Sequence, residues 1–215
     1  MKAVSVADAI GIIPDGASIM IGGFMGVGTP ERLVDELVRQ HKSGLKIIAN
    51  DAAVPGQGIG KLFDGGLVAS MVASHIGLNP KAQAGMLENR IDIDLVPQGT
   101  LAERIRAGGV GLGGILTPTG IGTVVERDKQ RIEVNGASYL LETPLRSQFA
   151  LVHAFLADHL GNLSYALTAR NFNPLMAMAA DTVIVTADQI VPVGVIAPDH
   201  VSTPAPLVDY LVMNE

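Results

Sequence analysis

"ASIMIGGFMGVGTPERLVDEL", residues 17–37, decides how the rest of the chain is read. "ASIMIGG" reads as a buried strand ending at Gly22, a short apolar run closed by a turn signal. A helix is signalled after it, with Thr29 as N-cap, Pro30 at the first helical position and Glu31 in the first turn. Leu33, Val34, Leu37 and Val38 form its apolar face. Between strand and helix stand Gly22, Gly23, Gly26 and Gly28. Glycine is favoured where the backbone takes positive φ or comes very close to something. A loop between a strand end and a helix start lies at the edge of an open α/β sheet where ligands bind. The first helical amides lack intrachain partners and the helix dipole is positive there, which together favour an anionic oxygen. A glycine-rich turn needed only for packing explains the same residues, and both readings stand at this level.

The same alternation runs outward from this unit. Ser5 to Ile13 reads as a short helix broken by Pro14-Asp15-Gly16. "LKIIAN", "LVASMVAS" and "IDIDLVPQG" read as strands, and "PKAQAGMLEN" and "TLAERIRAGG" as helices. "VVERDKQRIEVNGASYLLE" alternates on both sides of Asn135-Gly136, the signature of a β-hairpin with a type I′ turn. "FALVHAFLAD" and "DTVIVTADQIV" supply later strands. No linker, repeat or low-complexity run interrupts this order. The expectation is a single α/β domain over residues 1–215: three layers, a parallel-rich sheet, helices on both faces and a β-hairpin insertion. A second glycine cluster, "RAGGVGLGGILTPTGIG" (106–122), reads as a long irregular stretch, either functional or a mobile surface loop.

Composition narrows the chemistry. Fifteen Lys and Arg against 21 Asp and Glu give a net charge of −6, so the overall field favours neither nucleic acid nor an anionic membrane. Aromatics make up only 4%, so the core must be aliphatic. The absence of cysteine excludes disulfides, thiolate catalysis and Cys-ligated metal, and suits a reducing cytoplasm. The N-terminal stretch carries Asp8 within its apolar residues and is not read as a signal peptide, and no apolar run is long enough to span a membrane. His41, His75, His153, His159 and His200 lack metal-ligand spacing. Ser74-His75 is not read as a catalytic dyad, because strand neighbours point to opposite faces. The glycine spacing is Gly-Gly-x-x-Gly-x-Gly, not that of dinucleotide sites, and no Gly-Lys-Ser/Thr follows as in a P-loop.

Four blocks carry a family resemblance. "DGASIMIGGFMGVGTP" (15–30) resembles the first signature of class I coenzyme A transferases. "VPQGTLAERIRAGG" (96–109), "TPTGIGTVVE" (117–126) and "ARNFNP" (169–174) are similar to further blocks, in order, of the same subunit type. "GGFMGVGTP" and "ASHIGLNP" (73–80) resemble alpha subunits of the acetate/acetoacetate type more than succinyl-dependent relatives. The resemblance implies CoA exchange between a short-chain acyl-CoA and a free carboxylate such as acetate, acetoacetate or butyrate. It also implies a ping-pong course through a glutamyl–CoA thioester, with no cofactor besides coenzyme A as substrate. In two-subunit members the glutamate sits in a Glu-x-Gly motif of the beta subunit. This chain has no Glu-x-Gly; the nearest imitation, Glu88-Asn89-Arg90, reads as surface, and Leu87-Glu88-Asn89-Arg90 stands where many relatives read Ser-Gly-Glu. The implied partner is therefore a beta subunit, in an α2β2 assembly. The implied CoA and substrate-binding residues are Gly22, Gly23, Phe24, Met25, Gly26, Val27 and Gly28. Gln98 is similar to a family glutamine near the catalytic glutamate; a cap or turn residue before the 100–107 helix is its plain reading. Asn171 and Asn173 read as turn and buried-amide residues, or as subunit contacts. Arg104 and Arg106 read as solvated, with a CoA phosphate as an alternative contact. A 3-oxoacid or 3-oxoadipate transferase subunit, a non-catalytic anion-binding protein and a sugar-phosphate isomerase are the competing readings. The last needs an acid–base pair that the sequence does not display.

Overall fold

In the computed structural model, residues 1–213 are described. The elements run β1 (Lys2–Val4), α1 (Val6–Gly11), β2 (Ser18–Ile21), α2 (Glu31–Arg39), β3 (Leu45–Ile48), α3 (Gly60–Asp64), β4 (Val68–Ala73), α4 (Pro80–Leu87) and β5 (Asp92–Leu95). They continue α5 (Gln98–Val110), β6 (Ile115–Thr117), β7 (Arg131–Val134), β8 (Ala137–Glu142), β9 (Ser147–Asp158), β10 (Leu163–Ser164), α6 (Asn173–Met178), β11 (Ala180–Val191) and β12 (Tyr210–Val212).

The main sheet has the order β1-β12-β11-β9-β2-β3-β4-β5, with β10 paired to β9. Every pair along that path is parallel, and only β10 runs antiparallel to its neighbour. Period-two alternation divides the core between the two faces. Ile19 and Ile21 of β2 pack with Ile10, Leu33, Leu37 and Leu62, from α1, α2 and α3, on one side. Met20, the residue between them, packs with Leu101, Ile105 and Met176, from α5 and α6, on the other. Helices therefore cover both faces, as the strand–helix alternation implies. β6, β8 and β7 form a separate antiparallel sheet. Its hairpin turns at Asn135 (φ 51°) and Gly136 (φ 77°), both in the left-handed region that a type I′ turn requires. Buried Glu142 ties this insertion down: its Oε1 lies 2.5 Å from Lys129 Nζ, and its Oε2 lies 3.9 Å from the Arg104 guanidinium.

Three expectations change. Thr29 is not the N-cap of α2: Pro30 holds that position, no side chain caps it, and the Thr29 hydroxyl instead packs beneath Gly23. The 106–122 stretch is not one irregular loop. α5 continues to Val110, so Gly108 and Gly109 are helical, Gly111 closes the helix with φ 75°, and β6 follows. Gly108 is small because α5 crosses the 143–146 segment almost in contact, a tertiary fact without a local signal. Third, "RNFNP" is more than a turn, because α6 begins at Asn173.

Near β10, the Tyr165 hydroxyl bonds the Thr203 hydroxyl at 2.7 Å. Burial pushes its pKa up to about 12, against the opposing pull of that bond and of Arg170. The folded chain therefore holds this proton after the unfolded chain, titrating near 10, has released it. Stability contributed by the neutral phenol is complete below pH ~10 and is lost as pH rises toward ~12. Urea midpoints should fall across that window, and Tyr165→Phe should remove part of the fall.

Candidate functional site

The glycine segment folds as a tight turn standing on the C-terminal end of β2. Phe24 N donates to Val27 O at 3.0 Å and Val27 N to Phe24 O at 2.9 Å, closing a two-residue hairpin. Its central residues, Met25 (φ 51°) and Gly26 (φ 85°), both sit at positive φ. Phe24, Met25 and Val27 are exposed.

Most of the amides here are already used within the chain. Gly22 N donates to Leu151 O, Gly23 N to Asn171 Oδ1, Met25 N to Asp51 Oδ2 and Thr29 N to Gly26 O. Only the amides of Gly26 and Gly28 lack an acceptor among the described residues. Amides at the start of α2 are similarly occupied, since Glu31 N donates to Thr29 O and Leu33 N to Pro30 O, both at 2.9 Å. The general expectation of a helix start open to an anion thus narrows to two amides of the turn.

The "RNFNP" block holds that turn from behind. Asn171 Nδ2 donates to Val27 O at 2.9 Å, and Asn173 Nδ2 donates to Gly28 O at 2.9 Å. Asn173 is fully buried, and its Oδ1 also accepts from His153 N of β9. A Cβ on Gly22 would stand 1.9 Å from Asn173 Oδ1, so this glycine answers to the clamp. The two motifs, some 150 residues apart in sequence, form one structural unit.

Beside the turn, the ends of β3 and β4 and the start of α5 enclose a cavity of about 230 Å³. Phe24, Met25, Asn50, Asp51, Ser74, His75 and Gln98 line it. Gln98 is the first residue of α5, but its side chain does not cap the helix. Its Nε2 donates to Asn50 Oδ1 at 2.7 Å, and Asn50 Nδ2 donates to Asp51 Oδ2 at 2.7 Å. The polar relay from Gln98 thus reaches the Met25 amide at the tip of the turn. Among the described residues Asp51, 5% exposed, is the cavity's only carboxylate, and its Oδ1 accepts further from Ala53 N. Asn50 and Asp51 carried no motif; their one signal was a polar pair closing a strand beside the loop strand, at the ligand edge of a parallel sheet.

Other candidates fall outside this arrangement. Ser74 and His75 both border the cavity, but the Ser74 hydroxyl donates to Asn50 O and no bond joins it to His75. His153 binds Thr186 and Asp188 through its two ring nitrogens. Among the described residues, no three His, Asp or Glu side chains gather as a metal site, and no helix is long and apolar enough to cross a membrane. Arg104 donates to Thr143 O, and Arg106 pairs with Glu103. Glu88 and Arg90 form an exposed pair after α4, as read from the sequence.

The family profile for Coenzyme A transferase matches residues 3–214. The chain belongs to the coenzyme A transferase family. This transferase chain is 50% identical over 214 residues to the acetate CoA-transferase subunit alpha of Escherichia coli (strain K12), covering 100% of itself and 97% of that protein. It is 48% identical over 198 residues to the acetoacetyl-CoA:acetate/butyrate CoA transferase alpha subunit of Clostridium acetobutylicum, covering 92% and 91%. In fold it matches the crystal structure of an acyl-CoA transferase from E. coli O157:H7 in a thioester complex with CoA, with a TM-score of 0.88 at 23% identity. The alignment takes in 99% of this transferase chain and 47% of that one, so it spans about half the length of that protein.

Proposed function

We propose that this chain is the alpha subunit of a two-subunit transferase that moves CoA between a short-chain acyl-CoA and a free carboxylate, of the acetate/acetoacetate type. The observation that carries the proposal is a cavity equipped to bind but not to attack. Its one carboxylate, Asp51, is buried and already accepts three N–H donors, and no Glu-x-Gly occurs in the sequence. Full-length likeness to two alpha subunits supports the same division of labour.

A partner chain then supplies the glutamate. Its carboxylate attacks the acyl-CoA carbonyl, the C–S bond breaks, and an acyl–glutamyl anhydride and CoA thiolate result. The thiolate attacks the glutamyl carbonyl and releases the first acid, leaving a glutamyl–CoA thioester. The incoming carboxylate runs the two steps in reverse. This chain lends the exposed 24–27 turn, with the Gly26 and Gly28 amides as donors, and Gln98 as an amide beside the reacting carboxylate. Gly22 and Gly23 shape the turn from below, while Phe24, Met25 and Val27 give it an apolar surface for the pantetheine arm. The assembly is α2β2, cytoplasmic, and needs no cofactor beyond its CoA substrate.

The test is purification of this chain with a beta subunit, addition of acetoacetyl-CoA, and trapping with borohydride or hydroxylamine. The expected modification falls on one glutamate of the partner, with none on this chain. Acyl-CoA turnover by the purified chain alone, or label on one of its own carboxylates, would overturn the proposal.

A further inference from the structure

We propose that Asp51 is a positioning residue for this cavity: its carboxylate sets which way the Asn50 and Gln98 amides are turned and tethers the tip of the 24–27 turn. The inference rests on the transferase reading of the site.

A primary amide turned by half a rotation keeps its shape but exchanges donor for acceptor. Nothing intrinsic to Asn50 or Gln98 therefore fixes their sense. An ionised carboxylate only accepts. Asp51 Oδ2 takes Met25 N at 2.9 Å and Asn50 Nδ2 at 2.7 Å, and Oδ1 takes Ala53 N at 2.8 Å. With Nδ2 drawn to Asp51, Asn50 turns Oδ1 toward Gln98, whose Nε2 donates to it at 2.7 Å. The Ser74 hydroxyl spends its one proton on Asn50 O and does not decide that sense, which leaves Asp51 to do so. Gln98 is left to offer the cavity one N–H and its carbonyl oxygen. A reversed relay would spend that carbonyl on Asn50 and offer two N–H groups instead. Asn50 is 2% exposed, so water has little access to substitute for a lost partner.

Asparagine at position 51 cannot hold this arrangement. Three donors converge on two oxygens, and the amide has only one. Either Ala53 N or the pair Met25 N and Asn50 Nδ2 would face an N–H. Relief comes by flipping Asn50, which flips Gln98 with it. Groups that act by orienting the residues in contact with a reacting centre commonly change activity by about 10–100-fold.

The experiment uses the complex with the beta subunit. Asp51→Asn should lower kcat at least ~10-fold while KM moves less than ~3-fold, because binding contacts survive and the presented dipole does not. The exchanged pair Asn50→Asp/Asp51→Asn restores an acceptor-only group facing Gln98 without restoring the tether. It should recover a substantial part of the lost kcat, which a purely structural role of Asp51 would not allow. Hydrogen exchange at residues 24–28 should quicken in both variants, whether or not the complex turns over. A kcat within ~3-fold of wild type for Asp51→Asn, or no recovery in the exchanged pair, would overturn the orienting role. Unchanged exchange at 24–28 would overturn the tether. A wild-type complex that transfers no CoA would instead count against the transferase reading, with the tether still judged by exchange.

Discussion

Gly28→Ala lowers the unfolding free energy of this chain by about 3 kcal/mol, the expected sum of backbone strain and overlap. Gly28 sits at φ 74°, where an L side chain costs ~1–2 kcal/mol. The new Cβ would also stand 2.4 Å from the carbonyl oxygen and 3.0 Å from the Cα of Ala169. Backbone cannot rotate aside as a side-chain tip can, so the 169–173 segment must move away. That segment holds the turn through Asn171 to Val27 O and Asn173 to Gly28 O, bonds of about 1 kcal/mol each. Gly26→Ala is the control: φ is 85°, but nothing lies within 4 Å of its Cβ, so strain acts alone and the cost is about 1 kcal/mol. Urea unfolding of both variants reads the difference. Equal losses would show that the clamp does not restrain Gly28.

The second large effect sits in the other glycine cluster. Gly108→Ala should destabilise by about 3 kcal/mol, although glycine to alanine inside a helix normally gains ~1 kcal/mol. The Cβ would meet Leu145 O at 2.0 Å and its carbonyl carbon at 2.9 Å. Three bonds stitch the same crossing: Leu145 N to Arg104 O, Arg104 Nε to Thr143 O, and Arg146 to Gly108 O. Separating α5 from this segment weakens all of them. Gly99→Ala in the same helix meets nothing within 4 Å and should be neutral or stabilising by about 0.5 kcal/mol. A gain at both positions would refute the close crossing.

These two glycines also mark what could be read in advance. Local signals were sufficient for β2, α2, β3, β4, α4, β5 and the Asn135-Gly136 hairpin, because each carries an apolar pattern, a cap or a turn signal in its own residues. They did not reach α3 and α6, five and six residues long. They failed for β1 and β12, three residues each, which become strands only by pairing with each other and with β11. The 22–28 loop was legible as a special backbone, yet its internal amide bonds were not, because Asp51 and Asn171 reach it from distant parts of the chain. Gln98 was legible through its block. Its partner Asn50 was not, since sheet order, not sequence proximity, brings the end of β3 beside the start of α5.

β1 and β12 pair Lys2 with Tyr210 and Val4 with Val212, residues about two hundred positions apart. That seam joins segments that flank every other element of the fold. Loop-closure entropy grows only logarithmically with separation, so the cost is modest, but it is met by a few rungs at the margin of the sheet. With so few rungs to break, opening this seam costs less than separating the long β9–β11 pair.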